Sequence, residues 1–337
     1  MTDIVFTTQT LALRKHAASW QMFLAVLGAV TVLPFVFVPV VAHVVPEGNP
    51  AFYLYGFLIF ISTNFHVAST GWFLTDREMR GHLGAHPLRY AIAPAAVIAA
   101  CVAGFQLIGP PASDGIVVVF IGWLLWHYQK QNLGLLSFVA AGTDGIPLST
   151  WERRTLTLTG LAGIAGVFSA AQVAPAYLAK EAAVLHEAGA AIYLLVPVSA
   201  TIAIVRNPNL RSNRLRLFFF LISSAFYLPV YIFSDPVSAI TGSATAHGLQ
   251  YLVFMGTVSG SKQRSLRPVA VLLVIATFGA FALDYAADAP GLLGPALKGL
   301  FVGGVMAHFI VDAGIWRLRE PFQRGYMRRK FYFVFER

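Results

Sequence analysis

The chain has 337 residues, of which 57% are hydrophobic and only 12% are charged, and its mean hydropathy is +0.68. Soluble globular domains carry roughly 25% charged residues, so this composition excludes an ordinary soluble protein and predicts an all-α, polytopic transmembrane bundle, a single integral membrane domain over residues 1–337. The single cysteine, Cys101, excludes an internal disulfide framework, and in a membrane protein the net charge of +9 indicates topology rather than nucleic-acid binding.

Ten apolar segments are predicted, each long enough to cross a bilayer core of roughly 30 Å. In chain order they cover residues 21–43, 51–74, 90–109, 116–138, 156–178, 184–205, 217–234, 238–258, 268–285 and 296–316.

The basic residues show a strong side preference when the loops are placed alternately on the two faces. One face receives both termini and 21 of the 24 Lys and Arg residues. The other face holds only Lys180 and Lys298, and Lys130 lies near the inner end of the fourth segment. Because Lys and Arg collect in cytoplasmic loops, we expect both termini in the cytoplasm and a location in the bacterial inner membrane.

The C-terminal segment 317–337, "RLREPFQRGYMRRKFYFVFER", is both basic and aromatic. This pattern predicts a cytoplasmic tail that lies on the membrane surface, with its cations on anionic headgroups and its rings in the interface. Membrane lipids are therefore the expected partner of the tail, and nucleic acid is not expected.

Four predicted spans of the same direction, the second, fourth, eighth and tenth, each carry one histidine at or below the middle. These are His66, His127, His247 and His308. Four imidazoles at matched depth predict a polar chamber in the inner half of the bundle, where ionisable groups are usually functional.

Polar residues follow these histidines toward the cytoplasm, one helical turn further on. Thr70 is i+4 from His66, Gln131 is i+4 from His127, Gln250 is i+3 from His247 and Asp312 is i+4 from His308. Residues at this spacing share a helix face. The polar run "WHYQKQN" at 126–132 is thereby explained, because its polar face would join the chamber instead of lipid.

A second pair, His82 and His86 in "REMRGHLGAHP", lies just inside the membrane after the second span. If that stretch is helical, both imidazoles face one way. We include both in the predicted metal site, although a surface-loop role for such a pair is common.

Imidazole with carboxylate, and without thiolate, suits iron, zinc or copper. The best prediction is non-haem iron held by the histidines and Asp312, with Asn64, Gln131, Gln250 and Tyr251 orienting the ligands through hydrogen bonds. Such a site predicts a metal-dependent oxidoreductase or oxygenase that acts on a lipophilic small molecule. No catalytic residue is assigned.

The polytopic helices, with His66, His127, His247, His308 and the His82–His86 pair, resemble the membrane-embedded, histidine-ligated oxygenases. The chain lacks the adjacent HH of the desaturase boxes. It is therefore more similar to the bacterial carotene dioxygenases, which are related to a bacteriorhodopsin-associated protein. That resemblance implies one iron held by four transmembrane histidines, and it does not indicate which substrate is used.

Three alternatives remain open from the sequence. Two of the histidines could bind haem b in an electron carrier. The histidines and Asp312 could relay protons in a proton-coupled transporter. The polar residues could also simply hold helices together in a structural subunit.

Overall fold

The computed structural model describes residues 2–45, 50–108, 110–170, 174–260 and 266–335. Over these ranges the chain is helical, with 89% helix and no strand. The α-helices are α1 (Thr2–Val44), α2 (Pro50–Phe60), α3 (His66–Ser69), α4 (Arg77–Ala85), α5 (Ala93–Ala103), α6 (Pro110–Thr143), α7 (Thr150–Ala170), α8 (Ala179–Arg206), α9 (Pro208–Ser212), α10 (Arg214–Ser224), α11 (Pro229–Ile232), α12 (Pro236–Gly260), α13 (Arg267–Asp288), α14 (Gly294–Ile315), α15 (Pro321–Lys330) and α16 (Tyr332–Phe335).

Shorter irregular helices link some of these. Ile61–Phe65, Leu88–Ile92 and Gly104–Ile108 are π-helical, and Thr70–Leu74 and Ala176–Leu178 are 3₁₀-helical.

Within the described residues, six helical stretches are long and apolar enough to cross a membrane, as in an integral membrane protein. They are Ser19–Val44, Gly56–Leu74, Leu88–Ile108, Ala176–Arg206, Arg267–Asp288 and Gly294–Ile315. Each coincides with one of the ten predicted spans. The predicted spans 116–138 and 238–258 fall within the continuous helices α6 and α12, whereas the predicted span 156–178 extends past the end of α7 at Ala170.

The predicted span 217–234 is wrong as one continuous helix. Helix α10 ends at Ser224, and α11 begins only at Pro229. Proline has no N–H, and its ring clashes with the carbonyl four residues earlier, so the helix breaks before Pro229. The carbonyl of Ser224 instead accepts hydrogen bonds from the hydroxyls of Thr159 at 3.2 Å and Tyr193 at 3.1 Å.

The helices that carry His66, His127, His247 and His308 pack against one another. Helix α12 contacts α1, α3 and the π-helical segment Ile61–Phe65, and α14 contacts α5 and α6. Gly248 permits a close approach of α12 to this segment, because a Cβ there would lie 1.7 Å from the carbonyl oxygen of Ser62. The next residue along α12 from His247 is thus in backbone contact with the helix that carries His66.

Arg216, which the sequence places among the cytoplasmic basic residues, is fully buried in a charge network. Its guanidinium donates to Glu152 at 2.9 Å and to Asp144 at 3.0 Å, and also to the backbone carbonyls of Ile146 and Pro147. The side chain of Glu152 is fully buried as well. The network fixes the loop 144–149 against the start of α10.

Two aromatic rings of the C-terminal segment pack inside the protein. Tyr326 and Phe331 are buried within the protein. The ring of Phe331 lies 5.0–5.8 Å from the rings of Phe23, Phe138 and Phe254, which belong to α1, α6 and α12. The tail therefore packs against one end of the bundle.

Ion pairs fasten this tail to α4. Lys330 lies 3.1 Å from the carboxylate of Asp76, and Arg329 pairs with Glu78. Burial alone would raise the pKa of Asp76, but the N–H of Met79 and the charge of Lys330 outweigh it and hold that pKa below its ordinary value. Asp76 also caps the N-terminus of α4.

Candidate functional site

His66 directly follows the π-helical segment Ile61–Phe65, which interrupts the regular α-helical turn. Such single-turn π-helical insertions are frequent at functional sites because they redirect the side chains around them. His66 is 4% exposed, and it points into the interior of the bundle.

The imidazoles of His66, His127, His247 and His308 form a closed ring in the bundle. His66 contacts His247 and His308, with ring centres 5.0 and 5.2 Å apart, and His127 contacts the same two rings at 5.0 and 5.3 Å. All four side chains are buried. The structure therefore brings together the four histidines that the sequence places at matched depth, and we call them the imidazole cluster.

Six nitrogens of the imidazole cluster are buried without any hydrogen-bond partner in the described part of the chain. They are Nδ1 and Nε2 of His66, Nε2 of His127, Nδ1 and Nε2 of His247, and Nε2 of His308. The carbonyls of Ser62 and Thr63 interact with the His66 ring, but not in hydrogen-bond geometry. A buried polar atom without a partner costs about 1–3 kcal/mol. No described group offsets this cost for the six nitrogens.

Asp312 joins the imidazole cluster as its only carboxylate among the described residues. It lies one turn beyond His308 on α14, and its Oδ2 is 3.7 Å from Nε2 of His127. Its Oδ1 accepts a 2.5 Å hydrogen bond from Nε1 of Trp316. One ligand atom each from His127, His308 and Asp312 lies within 4.8 Å of the other two, a spacing that could hold a metal ion.

Thr70 orients His308. Its hydroxyl lies 2.8 Å from Nδ1 of His308 and 2.8 Å from the hydroxyl of Tyr251. With Nδ1 engaged, Nε2 of His308 is left facing the cluster. The sequence places Thr70 on the face of His66 but gives no signal that its partner is an imidazole from a helix more than 200 residues away.

Of the residues predicted to orient the ligands, Tyr251 contacts the cluster directly. Its ring lies edge to face with the rings of His66 and His308, with ring centres 5.7 and 5.5 Å apart, and its hydroxyl is 2.8 Å from that of Thr70. Gln131 donates to the backbone carbonyl of His247 at 2.9 Å and to Gln250 at 2.9 Å, and Gln250 in turn donates to Thr31. These two amides fix the backbone beside His247 and make no described hydrogen bond to any imidazole ring.

Asn64 lies outside the site. Its amide donates to Asp284 on α13 at 3.2 Å, in an exposed position. Asn64 precedes His66 by two residues, so on a helix it projects from a different face.

His82 and His86 also lie apart from the imidazole cluster. Their rings are 4.5 Å from each other, and His82 stacks on Phe322 at 4.0 Å. Nε2 of His82 accepts a hydrogen bond from Gln323. Partial burial, then the charges of His86 and Arg89, lower the pKa of His82 and favour the neutral ring that this bond needs. The pair therefore contacts the C-terminal helix α15, and no described contact joins it to the cluster.

Two aromatic rings that the sequence analysis did not single out pack on the cluster. Tyr128 stacks on His247 with ring centres 4.1 Å apart, and Phe309 stacks on His127 at 4.5 Å. Each follows a cluster histidine directly in sequence. These contacts limit the rotation of the imidazoles about their side-chain bonds.

A cavity of about 560 Å³ reaches the cluster at His127 and Asp312. The rings of Phe138, Tyr251 and Phe254 form part of its wall. Its remaining lining includes Lys130, Arg153, Arg317 and Arg319. A small molecule in this cavity could thus contact the cluster from the side of the basic residues.

Comparison of the chain with protein-family models, with curated proteins and with solved structures finds no match.

Proposed function

We propose that the imidazole cluster and Asp312 bind one transition-metal ion, most favourably non-haem iron, in a membrane oxidoreductase that acts on a lipophilic small molecule. The observation that carries this proposal is the set of six unpartnered, buried imidazole nitrogens on four converging rings.

The spacing of the ring centres supports a single ion, and the ligand atoms that converge within 4.8 Å belong to His127, His308 and Asp312. With a metal–nitrogen distance of about 2.1 Å and a ring centre about 1.1 Å behind the nitrogen, two imidazoles at right or tetrahedral angles place their centres about 4.5–5.2 Å apart. The four ring contacts of 5.0–5.3 Å are close to this range.

The donor set supports iron. Neutral imidazoles with one carboxylate and no thiolate are typical of non-haem iron, with zinc and copper as the competing ions. Bound there, the ion would supply Lewis acidity or redox chemistry. The chain's own residues would hold the site away from water, and the cavity beside His127 and Asp312 would admit the substrate. Haem b fits less well, because adjacent rings of the cluster contact one another and leave no slot for a porphyrin.

We further propose ten membrane crossings with both termini in the cytoplasm of a bacterial cell. The six apolar helical stretches support six of these crossings, and the remaining four would use α6, α7, α12 and the broken pair α10 and α11. This arrangement accounts for the 21 Lys and Arg residues that fall on one face.

Elemental analysis of detergent-purified protein tests the metal proposal. We expect about one iron per wild-type chain and an optical spectrum without a Soret band. His127→Ala and His308→Ala should each lower the metal content at least tenfold, because each removes a ligand. His86→Ala is the matched control, since His86 lies outside the cluster and its loss should leave the metal in place.

Wild-type protein without stoichiometric metal would overturn the proposal. Equal metal content in the His127→Ala and wild-type proteins would overturn it too. Thermal unfolding of each variant separates loss of the ion from loss of the fold.

A further inference from the structure

The cavity beside the imidazole cluster has an unequal charge distribution. Its lining contains four cationic side chains, Lys130, Arg153, Arg317 and Arg319, against the single carboxylate of Asp312. Lys130, Arg153 and Arg319 are exposed, and Arg317 is half-buried.

Most of these cations have no strong anionic partner in the described part of the chain. Lys130 lies over the ring of Trp126 at 5.3 Å, and Arg317 and Arg153 donate to the backbone carbonyls of Ala313 and Leu148. Arg319 lies 3.7 Å from Glu320, and both side chains are exposed, an arrangement worth little. The cations therefore remain available to an anionic ligand.

The rest of the wall is apolar. Phe138, Phe254, Leu135 and Met327 line it beside Tyr251 and Trp316. Cavities of roughly 300–1,000 Å³ hold one small ligand, so a volume of about 560 Å³ fits one single-chain molecule better than a two-chain phospholipid.

We propose that this cavity binds a single-chain amphiphile with an anionic headgroup, a carboxylate or a phosphate. The headgroup lies among Lys130, Arg153, Arg317 and Arg319, and the apolar chain lies along the aromatic wall, with one part of it against His127 and Asp312. The inference rests on the proposed function for the chemistry at His127 and Asp312. It adds the class of the substrate, which is an acidic amphiphile and not an uncharged hydrocarbon.

Equilibrium binding to full-length protein in nanodiscs of zwitterionic lipid tests the inference. The probes are a fluorescent polyene fatty acid, its methyl ester and the corresponding alkyl phosphate. We expect the acid to bind at least tenfold more tightly than the ester. The relative affinities of acid and phosphate decide which headgroup the site prefers.

The double variant Lys130→Gln, Arg317→Gln should weaken acid binding about tenfold or more, because it removes two charge-assisted contacts. Arg328→Gln is the matched control, since Arg328 is an exposed cation that does not line the cavity. The control should bind the acid as the wild type does. Retention of metal by the double variant would show that its fold is intact.

Equal binding of acid and ester, or unchanged acid binding by the double variant, would overturn the inference. Its failure is distinguishable from that of the proposed function, because both are measured on the same samples. Bound metal together with equal affinities for the acid and the ester would refute only the amphiphile proposal. Tight acid binding without metal refutes only the metal centre.

Discussion

At the scale of single residues, the imidazole cluster has few hydrogen bonds of its own. Among the described residues, His308 is the one cluster histidine whose ring has a side-chain hydrogen bond, to the hydroxyl of Thr70. Hydrogen bonds of this kind orient metal ligands and raise their basicity. The other rings are held mainly by stacking and by the helices that carry them.

Thr70→Val should lower metal affinity by about 10–100-fold while leaving the fold intact. Valine keeps the shape of threonine but removes the hydroxyl, so Nδ1 of His308 loses its partner and the ring can turn. Competition with a chelator of known affinity measures the change. Thr201→Val is the control, because the hydroxyl of Thr201 bonds only to its own helix at Pro197. An unchanged affinity in Thr70→Val would show that Thr70 does not orient a ligand.

Depth and periodicity predict the membership of the imidazole cluster but not its hydrogen bonds. Helical spacing puts Asp312 on the face of His308, and the matched depth of four spans brings their histidines together. The partner of Thr70 depends on how α14 is rotated against the second span, which no local pattern encodes. The same limit explains Asn64 and the His82–His86 pair, which lie in the right part of the sequence but face other neighbours.

At the scale of helices, the imidazole cluster depends on how closely α12 approaches the second span. Gly248 provides this approach, because its missing side chain leaves room for the backbone of Ser62. Hydropathy gives no signal for this contact, since a glycine in an apolar helix has many possible roles. The effect of a proline on a helix is likewise only partly predictable from the sequence. Pro229 breaks a predicted span, whereas Pro197 lies inside the continuous helix α8.

Gly248→Ala should separate α12 from the π-helical segment and reduce metal binding. A Cβ at this position would be 1.7 Å from a backbone oxygen, so a helix must move. The expected destabilisation is about 1–3 kcal/mol, the usual cost of overpacking. Gly256→Ala is the control on the same helix, because its Cβ would meet nothing within 4 Å. It should be neutral or slightly stabilising, because alanine favours the helix. Thermal unfolding and metal content check both variants, and equal behaviour would contradict the role of Gly248.

At the scale of the whole molecule, the C-terminal helices pack against one end of the bundle through Phe331, which contacts α1, α6 and α12. Composition and charge bias predict the helical membrane class and a side for the loops. They do not predict that Phe331 fills a gap among α1, α6 and α12, because a basic, aromatic segment is equally typical of a surface helix. Nor do they predict the burial of Arg216, whose partners Asp144 and Glu152 lie 72 and 64 positions away.

The proposed ten crossings put Arg211 and Lys298 on opposite faces, with three crossings between them. In a Cys101→Ala background, Lys298→Cys should react with a membrane-impermeant maleimide in intact cells. Arg211→Cys should react only after permeabilisation. Both positions are exposed. Labelling of both from the same side would mean an even number of crossings, and would remove the broken pair α10 and α11 from the membrane.

The π-helical turn before His66 has a consequence for how the site could be lost. In an α-helix each residue advances about 100° around the axis, and a π-helical turn accommodates one extra residue in the same length of backbone. If a substitution let Ile61–Phe65 relax into a regular α-helix with the same number of residues, the apolar segment would still be long enough to cross the bilayer. His66, however, would turn by about 100° around the helix axis relative to the residues that precede the segment. Insertion into the membrane and the presence of all the proposed ligands are thus separate properties, and a ligand can be lost while insertion stays normal.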